Sequence, residues 1–171
     1  MLRAVLAVVL AGALLAVSLP AIDDARADRT AAHLRSEAGE FERELGTLVA
    51  GDDAVRPGKP GARRVISLRL PRRSFAAAGV EVLRINSSGA AGRPGSTRIV
   101  WHLAGGRNGS LTIDVARVQR ADGDGPLVLR EPGTHRLAAS LRRTSGGRVV
   151  VLRRLNFKPD REDSRSHAPD A

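Results

Sequence analysis

Between Arg3 and Asp23 the chain runs for nineteen residues without a charge. Wound as a helix rising about 1.5 Å per residue, the run reaches roughly 28 Å, close to the ~30 Å hydrocarbon core of a bilayer. A chain crossing lipid must satisfy its backbone polar groups within itself, so such a segment is either a spanning helix or a signal segment removed on export. Cleavage has some support, since Arg3 supplies a basic start, residues 4–15 an apolar run and Ala16-Val17-Ser18 a site of small residues. Apolar character nevertheless continues through Leu19, Ala21 and Ile22, and the alternative site Ala25-Arg26-Ala27 falls beyond two aspartates. Residues 1–22 are therefore read as a single-pass membrane anchor, with secretion after signal cleavage as the alternative. Orientation is read two ways. Counting nearby basic residues, Arg26, Arg29 and Arg35 outnumber Arg3, which favours a cytoplasmic domain. The short N-terminus and the interrupting Asp23, Asp24 and Asp28 favour an extracytoplasmic one, which is adopted.

From residue 23 the pattern changes. Ala27, Ala31, Leu34, Ala38, Phe41, Leu45 and Leu48 recur at intervals of three and four, while Arg35, Glu37, Glu40, Glu42, Arg43 and Glu44 lie off that stripe. This spacing predicts an amphipathic helix over residues 23–50, packed on the rest of the protein. The Gly/Pro-rich residues 51–62 then read as a linker.

From residue 63 the period becomes two. Alternation marks strands at residues 64–70, 98–104, 110–118, 136–141 and 148–157, with shorter ones at 80–85 and 127–129. Hairpins are expected at Gly105-Gly106-Arg107-Asn108-Gly109 and Thr144-Ser145-Gly146-Gly147, and a long loop over 86–97. The fold class is α+β: a long N-terminal helix, half membrane-spanning and half amphipathic, followed by an antiparallel β domain of about seven short strands over residues 63–157. The expected core is Ile66, Leu68, Leu70, Ile99, Trp101, Leu103, Leu111, Ile113, Val115, Leu137, Leu141, Val149 and Val151. Residues 158–171 are charged and carry no aliphatic larger than Ala, so they are predicted to be disordered.

Residues 63–157 hold eighteen arginines against five acids, whereas residues 1–62 hold seven basic residues against nine acidic ones. The net +10 thus belongs to the β segment. Arginine pairs at Arg63-Arg64, Arg72-Arg73, Arg142-Arg143 and Arg153-Arg154 match the bidentate geometry of phosphate and carboxylate. Candidate anion-binding residues are Arg72, Arg73, Arg142, Arg143, Arg153 and Arg154; a solvated charged face is the competing reading. Nucleic acid is not an expected partner, because single-strand binding draws on stacking aromatics, and Trp101 and Phe75 are too few and are expected to be buried. Asn86-Ser87-Ser88 and Asn108-Gly109-Ser110 match the glycosylation acceptor, each in an expected loop.

No catalytic constellation emerges. The chain has no cysteine, and His33, His102, His135 and His167 show no metal-ligand spacing. Asp122-Gly123-Asp124-Gly125 lacks the further ligands of a calcium loop and reads as a turn. No Ser sits in a nucleophile elbow, and Gly58-Lys59 is followed by Pro rather than by Ser or Thr. No catalytic, metal or cofactor-binding residue is assigned, and no small-molecule substrate is predicted.

The stretch Leu14-Leu15-Ala16-Val17-Ser18-Leu19-Pro20-Ala21-Ile22-Asp23-Asp24 resembles the N-terminal helix of type IV pilins and pseudopilins. In that family an apolar spanning half ends near a proline, continues as a polar amphipathic helix and carries a β-sheet head. The resemblance implies a non-enzymatic component of an envelope filament or secretion apparatus, with the membrane and envelope or secretion-system proteins as partners. The chain departs from the family in having no charged leader before the apolar run, and in placing Arg3 near the position of the pilin assembly glutamate. The opening, with Asp24-Ala25-Arg26-Ala27-Asp28-Arg29-Thr30-Ala31, also resembles uncharacterised membrane-anchored proteins of halophilic archaea. The alternative function is an exported or membrane-peripheral basic module that binds polyanions: lipid head groups, nucleic acid or acidic protein.

Overall fold

The structure, a computed structural model, describes residues 2–51, 54–55, 61, 63–87, 96–115, 117–123, 125–144 and 147–155. One helix, α1 (Leu2–Gly51), runs through both N-terminal segments without a break and contains Pro20. Eight strands follow: β1 (Arg63–Leu70), β2 (Val80–Ser87), β3 (Thr97–Leu103), β4 (Asn108–Ile113), β5 (Arg117–Arg120), β6 (Leu127–Leu129), β7 (Gly133–Thr144) and β8 (Gly147–Leu155). They make two four-stranded sheets, ordered β1-β7-β8-β5 and β4-β3-β2-β6. All pairings are antiparallel except β5 with β8. The layout is α+β, a long helix followed by an antiparallel-rich β domain. The predicted disordered tail lies outside the described residues, as do the last two residues of the strand expected over 148–157.

The two sheets share one core. Ile66, Leu68 and Leu70 of β1, Leu137, Ala139 and Leu141 of β7, and Val150 and Leu152 of β8 meet Leu83 and Ile85 of β2, Ile99, Trp101 and Leu103 of β3, and Ile113 of β4. On one side this sandwich is open between the outermost strands β1 and β4. The second half of α1 contacts both, together with β7, and so seals the gap. Leu34, Ala38, Phe41, Leu45 and Leu48 enter the core through that seam, as the stripe predicted. One stripe position differs. Thr30 is buried where Ala31 was expected, because the Thr30 hydroxyl donates to the Ala78 carbonyl at 3.0 Å and turns that face of the helix to the loop after β1.

Two further differences lie in the strands and two in single residues. Residues 110–118, read as one strand, divide into β4 and β5 on different sheets; apolar residues alternate through Leu111, Ile113 and Val115, past the end of β4, and the phase breaks only at Arg117, with Val118 the buried residue of β5. In β8 the unbroken run Val149-Val150-Val151-Leu152 carries no period of two. Its register against β7, Leu141 opposite Val150 and Ala139 opposite Leu152, turns Val150 and Leu152 inward. The expected core residues Val149 and Val151 are buried on the opposite face, where Val151 lines a small cavity with Val55 and Ala138. Leu111 and Val115 pack against the core only partly buried. Asn86 and Asn108 lie in β2 and β4 rather than in loops.

The expected hairpin at residues 105–109 forms between β3 and β4, closed by Leu103 N–H donating to Arg107 O at 2.8 Å. Gly105 and Gly106 sit at φ +102° and +86°, a region that residues with a Cβ rarely enter. Gly109 is required for a different reason. It pairs with Trp101, and a Cβ there would lie 2.5 Å from the indole ring. Gly109→Ala is expected to displace the buried Trp101 and destabilise the domain by about 1–3 kcal/mol, read as a lower Tm.

Candidate functional site

Two surfaces stand out once the core is assigned. The first is the N-terminal half of α1. An eighteen-residue window there has a mean hydropathy of 2.6 and none of it is buried by the rest of the chain, so the helix is long and apolar enough to cross a membrane. Leu6, Leu10, Leu14, Val17 and Leu19 are all exposed. Ala27 is the first buried helix residue, so the head begins about one turn after Ile22.

The second surface is electrostatic. In β1, β5, β7 and β8 the only ionisable side chains are arginines and His135, with no Asp or Glu in any of the four strands. The alternation that buries Ile66, Leu68, Leu137 and Leu141 sends Arg63, Arg69, Arg136 and Arg142 to the outer face, and β8 adds Arg153. Arg63, Arg142 and Arg153 line a cavity of ≈ 180 Å³ with Ser140 and Val55. Val55 accepts a hydrogen bond from Arg143 N–H at 3.0 Å and bridges β7 beyond the end of β1.

The six candidate arginines do not form one site. Arg72 and Arg73 follow the end of β1 that lies beside Thr30 of the helix, while Arg142 and Arg143 lie at the far end of β7. The eight-residue β1 separates these ends by more than ~20 Å. Arg154 is engaged by Glu131 at 2.6 Å, leaving Arg153 as the exposed partner of its pair on the outer face. Sequence adjacency therefore identified the basic sheet but not the grouping on it. The outer-face trio Arg63, Arg142 and Arg153 is formed by strand register, which no pair motif contains.

Elsewhere the charged residues pair locally. Arg26 meets Asp23 at 2.9 Å, Arg107 meets Asp28 at 3.0 Å and Asp24 at 3.6 Å, and Arg64 meets Glu44 at 3.3 Å. Glu37 accepts the Arg69 backbone N–H at 2.8 Å and stands 3.7 Å from His33. A ring nitrogen of His135 lies 2.7 Å from Glu131 O, its role set by the tautomer. Among the described residues no three His, Cys, Asp or Glu side chains come together as a metal-ligand set. Phe75, expected to be buried, is instead 83 % exposed, while Trp101 is buried.

A bare apolar half-helix continued into an α+β head defines a class of protein with one candidate membrane-spanning segment and a single β-rich domain. The chain belongs to the family described as a domain of unknown function, DUF7311, whose model matches residues 1–155. No curated protein and no solved structure matches it.

Proposed function

We propose that this protein is a non-enzymatic, membrane-anchored component of a cell-envelope filament or secretion apparatus, pilin-like in plan, with its β head outside the membrane. The observation that carries this reading is the division of α1. Its first half is uncharged from Ala4 to Ile22, with its hydroxyl at Ser18 turned back onto Leu14 O, and none of its apolar window is covered by the head, while its second half is a structural part of the head. A helix shared in this way links whatever its apolar half contacts to the head as one stiff unit. Glu37, Glu44 and Glu131 are engaged within the head, by the Arg69 backbone N–H, Arg64 and Arg154. Because the chain has no cysteine, Val8→Cys or Val17→Cys introduces a single cross-linking site on the bare half. Cross-links from these positions to other apolar envelope helices, with a filament or secretion defect on gene deletion, support the reading. Cross-links to lipid alone and no such defect refute it.

The acid-free sheet favours a second reading, a basic module that binds polyanions. It is separable by salt. Tight binding of the residue 23–171 chain to anionic vesicles or single-stranded DNA would weaken steeply with salt, by a log–log slope of about 0.7–0.9 per phosphate neutralised. It would also fall when Arg72 and Arg73, or Arg142 and Arg143, are changed to Ala, each pair acting independently because they lie at opposite ends. The envelope-component reading predicts weak binding that physiological salt removes.

A further inference from the structure

The loop between β1 and β2, residues 71–79, bears on how the head sits. It is a closed loop: Val80 N–H returns to Pro71 O at 3.4 Å, and Ser74 N–H donates to Ala77 O at 3.0 Å. It is fastened to α1 at three points, through Arg26 Nε to Phe75 O at 2.5 Å, Ala78 N–H to Arg26 O at 3.5 Å and Thr30 Oγ1 to Ala78 O at 3.0 Å. At its tip Phe75 projects with 83 % of its surface exposed, its ring centroid 5.1 Å from the Arg26 guanidinium. Among the described residues, the exposed large hydrophobic side chains outside the bare half of α1 are Phe75 and the far less exposed Val65. Arg72 and Arg73 flank it, both exposed.

Position relative to the apolar half-helix gives this loop its meaning. Arg26 follows Ile22 by four residues, about 6 Å along the axis, and the headgroup layer of one leaflet is about 5–7 Å deep. A loop fastened at Arg26 therefore lies at the level of lipid phosphates whenever the apolar half is in a bilayer. The charges agree. Asp23, Asp24 and Asp28, which would repel an anionic surface, are engaged by Arg26 and Arg107, whereas Arg72 and Arg73 have no acidic partner among the described residues.

We propose that this loop docks on the membrane surface, Phe75 entering the interface and Arg72 and Arg73 meeting the phosphates of anionic lipids. The head is thereby held against the bilayer beside its own span rather than swinging on it. This inference rests on the anchored reading of residues 1–22. Arginines near an anionic surface are attracted over about a Debye length, and an aromatic at headgroup depth keeps its ring out of water without crossing the lipid core.

The test uses the full-length chain in vesicles of phosphatidylcholine with or without phosphatidylglycerol. Single cysteines at Ala76→Cys (loop), Thr144→Cys (far end of β7) and Leu10→Cys (apolar half) carry a polarity-sensitive fluorophore. Quenching is measured with lipids spin-labelled at the headgroup or at mid-chain. The expected result is headgroup quenching at position 76, stronger with phosphatidylglycerol, none at 144, and mid-chain quenching at 10. Phe75→Ser should abolish quenching at 76. Arg72→Gln with Arg73→Gln should remove its dependence on anionic lipid, about a fivefold loss in the docked population per arginine. Unchanged emission from the buried Trp101 establishes that these variants are folded. If position 76 is quenched no more than 144 while 10 is quenched by mid-chain label, the loop does not dock and the anchor stands. If none of the three is quenched, both the docking and the anchor are wrong.

Discussion

A chain beginning at Arg63 will fail to give a cooperative melting transition, whereas one beginning at Asp23 will melt as a single unit. The second half of α1 closes the open side of the sandwich, and its removal exposes the core around Leu68, Leu70 and Ile113 to water. Leu34, Phe41, Leu45 and Leu48 are all essentially fully buried, and each such side chain contributes roughly 1.5–3 kcal/mol relative to exposure. Together they approach the whole stability of an ordinary domain, about 5–15 kcal/mol. The same logic has a single-residue form. Phe41→Ala in the chain beginning at Asp23 should cost about 3–5 kcal/mol, since the ring is buried in the core that the helix and both sheets share and its loss leaves a cavity. Chemical denaturation of the three proteins measures this. Equal stability with and without the helix would make α1 a free stalk and would contradict the packing.

The second large effect concerns the other half of the same helix. Replacing Leu10 and Leu14 together by Arg should shift the protein out of the membrane fraction while leaving the melting of its head unchanged. Both side chains are exposed on a segment that no part of the head covers. Each arginine near mid-bilayer costs on the order of 3 kcal/mol on insertion scales, so the pair costs roughly 6 kcal/mol, about four orders of magnitude in partitioning. Fractionation of cells expressing the variant, beside thermal melting of the soluble head, separates the two halves of α1. A variant that stays in the membrane would show that something other than the apolar run retains the protein.

Much of this architecture was legible because two periods suffice for it. Ala27, Leu34, Ala38, Phe41, Leu45 and Leu48 repeat as a helix face must, and Ile66, Leu68 and Leu70 alternate as a strand face must; both patterns survive in the fold. What the periods do not encode is which strand lies beside which. Alternation runs on past the end of β4 to Val115 before its phase breaks at Arg117, and the apolar run of β8 has no alternation to read, so its inward face is set by pairing with Leu141 and Ala139. The candidate site suffered for the same reason. Arg142-Arg143 and Arg72-Arg73 look alike in sequence, but strand direction sends them to opposite ends of the head, while Arg63, Arg142 and Arg153 meet across three strands. Phe75 shows a further limit. An aromatic flanked by Ser and Ala carries no periodic mark of exposure, and only its fastening to Arg26 fixes where it lies.

The central claim is that residues 1–22 persist as a membrane span joined without a break to the helix that completes the head. The most direct measurement is the intact mass of the protein recovered from cells after the membrane fraction has been washed with high salt and then with alkaline carbonate. The account predicts that the full-length chain stays in the pellet through both washes with the apolar segment present in its mass, because burial of that segment in lipid is insensitive to charge screening. A soluble protein whose mass begins near Leu19 would contradict it, showing that the segment is a signal peptide and that the head is released.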